Sequence, residues 1–221
     1  MNKIKTHGQL IVISGPSGCG KDTVVKEVLK TNPNAWLSVS CTSRKPRPGE
    51  VNGKDYFFLS RDEFEKKIAD GDLLEYAEYA ENYYGTPKDI IVEKINQGID
   101  VILVIEIQGA LKIKEILKET IFVFILPPTI KELRRRLEGR KTETKEVMMK
   151  RFKTAYREIN EVNKYNYVVI NDIVEEAAKK VNAIIASEKC RVDRIEETFL
   201  SSLEEEIHEL LISENETIDI K

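Results

Sequence analysis

The chain has 221 residues, of which 41% are hydrophobic and 33% charged, and its formal net charge is only −3. That balance excludes a disordered chain and, by bulk charge, a polyanion-binding one, so nucleic acid is not an expected partner and any phosphate affinity must come from local clusters. The length fits one α/β domain with an insertion or two. The three cysteines, Cys19, Cys41 and Cys190, are odd in number, lie far apart and form no CxxC, which argues against a disulfide framework or a zinc site and for a reducing, cytoplasmic setting. Residues 1–8 lack a signal-peptide apolar region and no apolar run approaches membrane-spanning length, so a soluble protein without a membrane partner is expected.

The first element is the apolar run Leu10 to Ser14, read as a strand. It leads directly into Gly15-Pro16-Ser17-Gly18-Cys19-Gly20-Lys21-Asp22-Thr23, after which a helical pattern begins at Asp22. Strand, glycine-punctuated loop ending in Gly-Lys, then helix is the order of a phosphate-binding P-loop. The glycines let backbone N–H groups turn onto an anion, the helix presents its positive end, and Lys21 can reach the β and γ phosphates of a nucleoside triphosphate. Asp22 stands where a Ser or Thr hydroxyl usually meets Mg²⁺, and Thr23 comes one residue later.

Val24, Val25, Val28 and Leu29 continue the helix, which Asn32-Pro33-Asn34 closes, and Trp36 to Ser40 alternates like a second strand. Residues 41–58 hold two prolines and four cations close together, too irregular for a helix, and read as a basic loop ending in a short strand. A solvated turn is the usual fate of such charge, but prolines beside Arg44 and Arg47 also suit arginines held for bidentate phosphate contact. A short helix follows over 61–70, capped by Ser60 and stopped at Gly71. Leu73 to Tyr79 reads as extended, Tyr83 to Pro87 as a turn, and a helix then runs to Gln97-Gly98.

Val101 to Ile105 is an unbroken apolar run, as in a central parallel strand, and it ends at Glu106. Carboxyl ends of parallel strands face the ligand crevice, which makes Glu106 a candidate for magnesium or substrate. Ile121 to Leu126 is a further central strand, cut off by Pro127 and Pro128. From Thr129 a helix carries Arg134 to Arg140 and breaks at Gly139; a second, from Thr142, contains Arg151. Arginines on both sides of a glycine break suit either a solvated face or a lid that swings cations onto phosphates. Tyr167 to Asp172 forms the last strand and its turn, Ile173 to Ser187 the last helix, and the domain closes near Cys190. Strand and helix alternate as in a three-layer α/β fold. Beyond Cys190, the apolar residues Ile195, Phe199, Leu203, Ile207 and Leu210 recur at spacings of four, four, four and three, an amphipathic helix expected to dock on the core or on a second subunit.

The stretches GPSGCGK, SVSCTSRKPRPGEVNGKDYFF, YYGT, IEIQG, RLEGRKTET and VVIND occur in this order between about Gln9 and Ser187. With them the chain resembles the guanylate kinases, which transfer a phosphoryl group from ATP to GMP. The resemblance implies an α/β P-loop core of three layers with a parallel sheet, residues 9–37 and 87–187. It places a small mixed-β GMP-binding insertion at 38–86, a helical lid at about 134–152, and leaves 188–221 as a helical extension.

By the same resemblance, ATP would be held by Gly15, Pro16, Ser17, Gly18, Cys19, Gly20, Lys21, Asp22 and Thr23, with Asn171 near the adenine. GMP would be held by Ser40, Glu75 and Thr86 at the base, by Arg44, Arg47, Tyr56 and Tyr84 at the phosphate, and by Glu106. Lys21, Arg44, Arg136, Arg140 and Arg151 would carry catalysis, with Mg²⁺ near Asp22, Thr23 and Glu106. Family members often carry acids at the positions of both Val104 and Glu106; here the first is apolar.

The chemistry agrees independently. Guanine offers adjacent N1–H and N2–H donors that one carboxylate accepts together, so Glu75 is the right residue type for base selection. The GMP phosphate is already an anion, so no general base is needed and catalysis reduces to alignment and charge neutralisation. Two alternatives remain at this point. One is a non-catalytic guanylate-kinase-like protein-binding module, in which Lys21 and the lid arginines would be expected to erode; the other is a kinase of a different nucleoside monophosphate, for which Glu75 would not face the base.

Overall fold

The computed structural model describes residues 7–79, 81–138, 145–194, 205, 207 and 208. In chain order its strands are β1 (Leu10–Ser14), β2 (Ala35–Leu37), β3 (Cys41–Thr42), β4 (Phe57–Phe58), β5 (Leu73–Tyr79), β6 (Asn82–Pro87), β7 (Asp100–Val104), β8 (Ile121–Leu126) and β9 (Tyr167–Ile170). The helices are α1 (Lys21–Thr31), α2 (Arg61–Asp70), α3 (Lys88–Asn96), α4 (Ile107–Ile116), α5 (Ile130–Glu138), α6 (Lys145–Ile159) and α7 (Val174–Glu188).

A five-stranded sheet runs in the order β2-β7-β1-β8-β9, and every pairing in it is parallel. Alternation along β1 explains how it is covered on both faces. Ile11 and Ile13 join Val24, Val25 and Val28 of α1 and Ala177, Ala178, Val181 and Ile185 of α7 in one apolar cluster. Leu10 and Val12 point the other way, into a cluster with Ile91 of α3 and Ala110 and Ile113 of α4. This is the expected three-layer α/β arrangement. From β1 the chain goes to the edge strand β2, returns as β7 beside β1, and then crosses to β8 and β9 on the other side, which opens a crevice at the carboxyl end of β1.

A second, mixed sheet runs β4-β3-β6-β5, with β3 parallel to β4 and antiparallel to β6, and β5 antiparallel to β6. Here two expectations are corrected. The stretch from Tyr83 to Pro87 is not a turn but most of β6, paired on both sides. Gly85, which suggested a break, is in the strand because of crowding: a Cβ there would lie 2.9 Å from Glu75 O and 3.0 Å from the Phe64 ring. The reversal comes earlier, at Glu81, whose φ of 64° is left-handed. The strand expected over Trp36 to Ser40 is also shorter. Ser38 N still donates to Ile102 O at 2.9 Å, but by Ser40 the chain has crossed to the second sheet, where Ser40 O accepts Phe57 N at 2.8 Å.

Helix α2 has the expected ends, with a capping box between Ser60 and Glu63 and Gly71 left-handed at its close. Leu133 and Leu137 of α5 pack with Ala155 of α6 in a third cluster. The expected lid break at Gly139, with Arg140, lies outside the described residues, as does the side chain of Arg151. Helix α7 ends at Glu188. A 3₁₀ turn carries on to Arg194, which donates to Gln9 Oε1 at 2.7 Å and Glu119 O at 2.8 Å. Most of the tail, including all of its apolar stripe but Ile207, lies outside the described residues; Glu205, Ile207 and His208 are helical, and Ile207 is 56% exposed. No helix among the described residues is long and apolar enough to cross a membrane.

Candidate active site

Parallel strands put all their carboxyl ends on one edge, and the expected phosphate-binding residues follow those ends. The Gly15–Gly20 loop follows β1, Glu106 follows β7, helix α5 follows β8 and Asn171 follows β9. The loop is shaped by glycine. At Gly15, with φ 152°, a Cβ would lie 2.2 Å from Ile125 O, and at Gly20, with φ 91°, it would lie 2.5 Å from Asn171 Nδ2. Gly20 caps α1 without a side-chain hydrogen bond, so the first-turn amides of α1 are left as donors for an anion.

The loop is braced through its carbonyls. Cys19 O accepts Asn171 Nδ2 at 2.8 Å and Arg136 Nη1 at 3.1 Å, while Arg136 Nη2 donates to Asn171 O at 3.0 Å. Arg136 Nε is held by Glu132 at 2.8 Å, and hydrogen bonds from Arg135 and Arg136 bring the Glu132 carboxyl down to about 2. Lys21 folds over the loop, its Nζ donating to Gly15 O at 2.6 Å. Cys19 serves through its backbone, since burial pushes its thiol pKa up and leaves it un-ionised. Asn171 is only 2% exposed and acts on the loop backbone; its Oδ1 is buried without a partner among the described residues. Asp22, Thr23 and Glu106 are exposed.

The second sheet carries the other half of the site. Arg44 forms a two-pronged pair with Glu50, at 3.0 and 2.8 Å, and its guanidinium lies 5.5 Å from the centre of the Tyr56 ring. Tyr56 and Tyr84 meet edge to face with centroids 6.1 Å apart. Burial raises the Tyr56 pKa first of all, with the charges of Tyr84, Glu50 and Asp22 of α1 adding to it and Arg44 opposing it. Arg47 is exposed, and Ser40 is half-buried just before β3.

Glu75 and Thr86 are register partners on β5 and β6, and Thr86 Oγ1 donates to Glu75 Oε1 at 2.7 Å. Burial pushes the Glu75 carboxyl up, opposed by the Thr86 hydrogen bond and by Lys112. The start of α4 lies against this carboxylate: a Cβ on Gly109 would come within 2.8 Å of Glu75 Oε2.

Three residues were missed by the sequence reading. Glu50 sits inside a loop noted only for its cations. Gly109, within IEIQG, makes room for Glu75, and a glycine in the first turn of a helix was the available signal. Glu158 of α6 reaches back to the P-loop, its Oε2 accepting Ser17 N at 3.3 Å. Burial raises its pKa, Glu106 adds to that and Lys21 opposes it. Nothing local in the sequence marks it.

A family model described as guanylate kinase matches residues 7–188. A guanylate kinase of Clostridium tetani is 58% identical over 204 residues, covering 92% of this chain and 98% of that protein. One from Clostridium acetobutylicum is 57% identical over 202 residues, covering 91% and 96% respectively. Among solved structures, the crystal structure of guanylate kinase from Anaplasma phagocytophilum superposes with a TM-score of 0.71 at 35% identity, covering 87% of this chain and 92% of that one. A P-loop on a parallel sheet, a second sheet carrying both a half-buried carboxylate and an arginine–tyrosine cluster, and relatives matched nearly end to end lead to one conclusion: the chain belongs to the guanylate kinase family.

Proposed function

We propose that the chain transfers the γ-phosphoryl group of ATP to GMP, and to dGMP, giving ADP and GDP. The observation that carries this reading is the half-buried Glu75 carboxylate, set by Thr86 at 2.7 Å on a sheet that also holds Arg44, Tyr56 and Tyr84. Glu75 accepts the N1–H and N2–H of guanine, with Ser40 and Thr86 completing the base site. Adenine has no such donor pair. Arg44, Arg47, Tyr56 and Tyr84 take the GMP phosphate, and residues 38–86 act as the GMP-binding insertion.

The triphosphate occupies the P-loop amides and the first turn of α1, as general anion binding at helix N-termini favours. Lys21 exchanges Gly15 O for phosphate oxygens. Arg136, with Arg140 and Arg151 of the lid over residues 134–152, neutralises the charge that spreads over the transferring group. The acceptor oxygen of GMP is already ionised, so the residues align and neutralise rather than move a proton.

Magnesium is the expected cofactor, and the donor set fits it. The oxygen-bearing side chains of Asp22, Thr23 and Glu106 are exposed at the carboxyl edge of the sheet. Magnesium keeps several waters and takes one or two carboxylates beside substrate phosphates. When bound it supplies charge neutralisation at the β and γ phosphates. The reducing cytoplasm and the absence of a nucleic-acid partner remain part of the proposal, as does self-association through the tail. The test of catalysis is transfer of labelled γ-phosphate from ATP onto GMP in a single turnover. Lys21→Met should lose transfer by orders of magnitude while GMP still binds; label that never reaches GMP with the unmodified chain would leave only a binding role.

A further inference from the structure

Arginine presents five N–H donors in one plane. In Arg44, Nη1 donates to Lys45 O at 2.7 Å and to Glu50 Oε2 at 3.0 Å, and Nη2 donates to Glu50 Oε1 at 2.8 Å. Glu50 thus grips the end of the fork. The donors outside this grip are Nε–H and the second Nη2–H, which point the same way along the side of the guanidinium. They form a second bidentate face, of the kind that suits two oxygens of a phosphate.

The plane is fixed from other directions too. The guanidinium lies 5.5 Å from the Tyr56 centroid and 5.7 Å from that of Phe58. Glu50 is itself anchored, its Oε2 accepting Arg47 N at 2.7 Å. Its hydrogen bond from Arg44 holds the carboxyl below its usual range, and the same bond is the first cause raising the Arg44 pKa, with the Tyr84 hydroxyl adding to it. Pro46 and Pro48 stiffen the segment between the partners.

We infer that Glu50 is the positioning residue of the GMP phosphate site: it clamps one edge of the Arg44 guanidinium so that the Nε edge is turned to the phosphate. The inference rests on the assignment of Arg44 to that phosphate. It makes a prediction of sign that charge alone reverses. A carboxylate near a phosphate repels it, so removing the charge should tighten GMP; if Glu50 positions Arg44, removing its grip weakens GMP instead.

The experiment compares the full-length chain with Glu50→Gln, Glu50→Asp, Arg44→Met and the Glu50→Gln/Arg44→Met double variant. Calorimetry gives Kd for GMP and guanosine, and steady-state kinetics give KM for ATP. Glu50→Gln is expected to weaken GMP by roughly tenfold, the size of one misaligned charge-assisted contact, with guanosine affinity, KM for ATP and melting temperature unchanged. Glu50→Asp, which keeps the charge on a shorter arm, should weaken GMP as well. In the Arg44→Met background Glu50→Gln should add nothing. Unchanged or tighter GMP binding in Glu50→Gln, an equal loss for guanosine, or full additivity in the double variant would each overturn the inference. Full GMP affinity in Arg44→Met would instead overturn the assignment on which it rests.

Discussion

Replacing Glu75 by Gln changes almost no volume but removes one of two acceptors. In the folded chain Oε1 already accepts from Thr86 Oγ1 at 2.7 Å, and Oε2 lies where a Cβ on Gly109 would come within 2.8 Å. The carboxylate therefore has little room to rotate away. With the amide oxygen kept toward Thr86, the NH₂ group faces a guanine N–H, donor against donor. Leaving such a polar contact unpaired costs about 1–3 kcal/mol. At about 1.36 kcal/mol per tenfold, kcat/KM for GMP should fall by roughly 5- to 150-fold, while KM for ATP stays put. Folding should not suffer. Burial raises the Glu75 pKa above the usual carboxylate range, so the ionised form is the one the fold disfavours; that cost is present above the raised pKa and relieved as pH falls through it. The neutral Gln variant should match or exceed the parent in melting temperature at neutral pH. A coupled ADP-release assay with GMP varied at saturating ATP reads the kinetic effect. An unchanged kcat/KM for GMP, or an equal loss in ATP use, would refute the placement of Glu75 at the base.

Gly109→Ala puts a methyl group 2.8 Å from Glu75 Oε2, so it should lower kcat/KM for GMP by about tenfold through the displaced carboxylate; equal kinetics would show that α4 yields instead. GMP affinity should fall more steeply in the parent than in Glu75→Gln as pH drops through the raised Glu75 pKa, which calorimetry across acid pH checks against the fall both share as the GMP phosphate takes up a proton. Glu158→Gln removes a negative charge from beside the Ser17 amide and Lys21, so KM for ATP should decrease, roughly threefold on a partly screened Coulomb scale; an unchanged or higher KM would mean that the triphosphate never meets this carboxylate. Asp22→Ser should shift the Mg²⁺ concentration for half activity, and superimposable metal titrations would detach Asp22 from the metal.

The core was legible because each of its signals is local. Leu10 to Ser14 is apolar without interruption, Gly-Lys follows at once, and the valines of α1 recur at helical spacing, so strand, loop and helix could be read within a window of a few turns. β6 was illegible for the opposite reason. Gly85 is there because Phe64 and the Glu75 backbone approach it from elsewhere in the chain, and Pro87 ends the strand without needing a ladder donor, so both breakers mislead. The site divides in the same way. The P-loop residues announce themselves by spacing, and Glu75 by its chemistry once guanine is considered. Glu50 and Glu158 do their work by pairing with a cation or an amide. Glu158 and Ser17 are 141 residues apart in sequence, a proximity only the folded chain reveals.

The central claim is tested most directly by offering the chain GMP, dGMP, AMP, UMP and CMP in turn with ATP and Mg²⁺ and measuring kcat/KM for ADP release. The account predicts that GMP leads, that dGMP follows through the same base contacts, and that AMP, UMP and CMP lag by about two orders of magnitude or more, as expected when a site built for paired donors is left unmatched. Comparable turnover of AMP and GMP would contradict it.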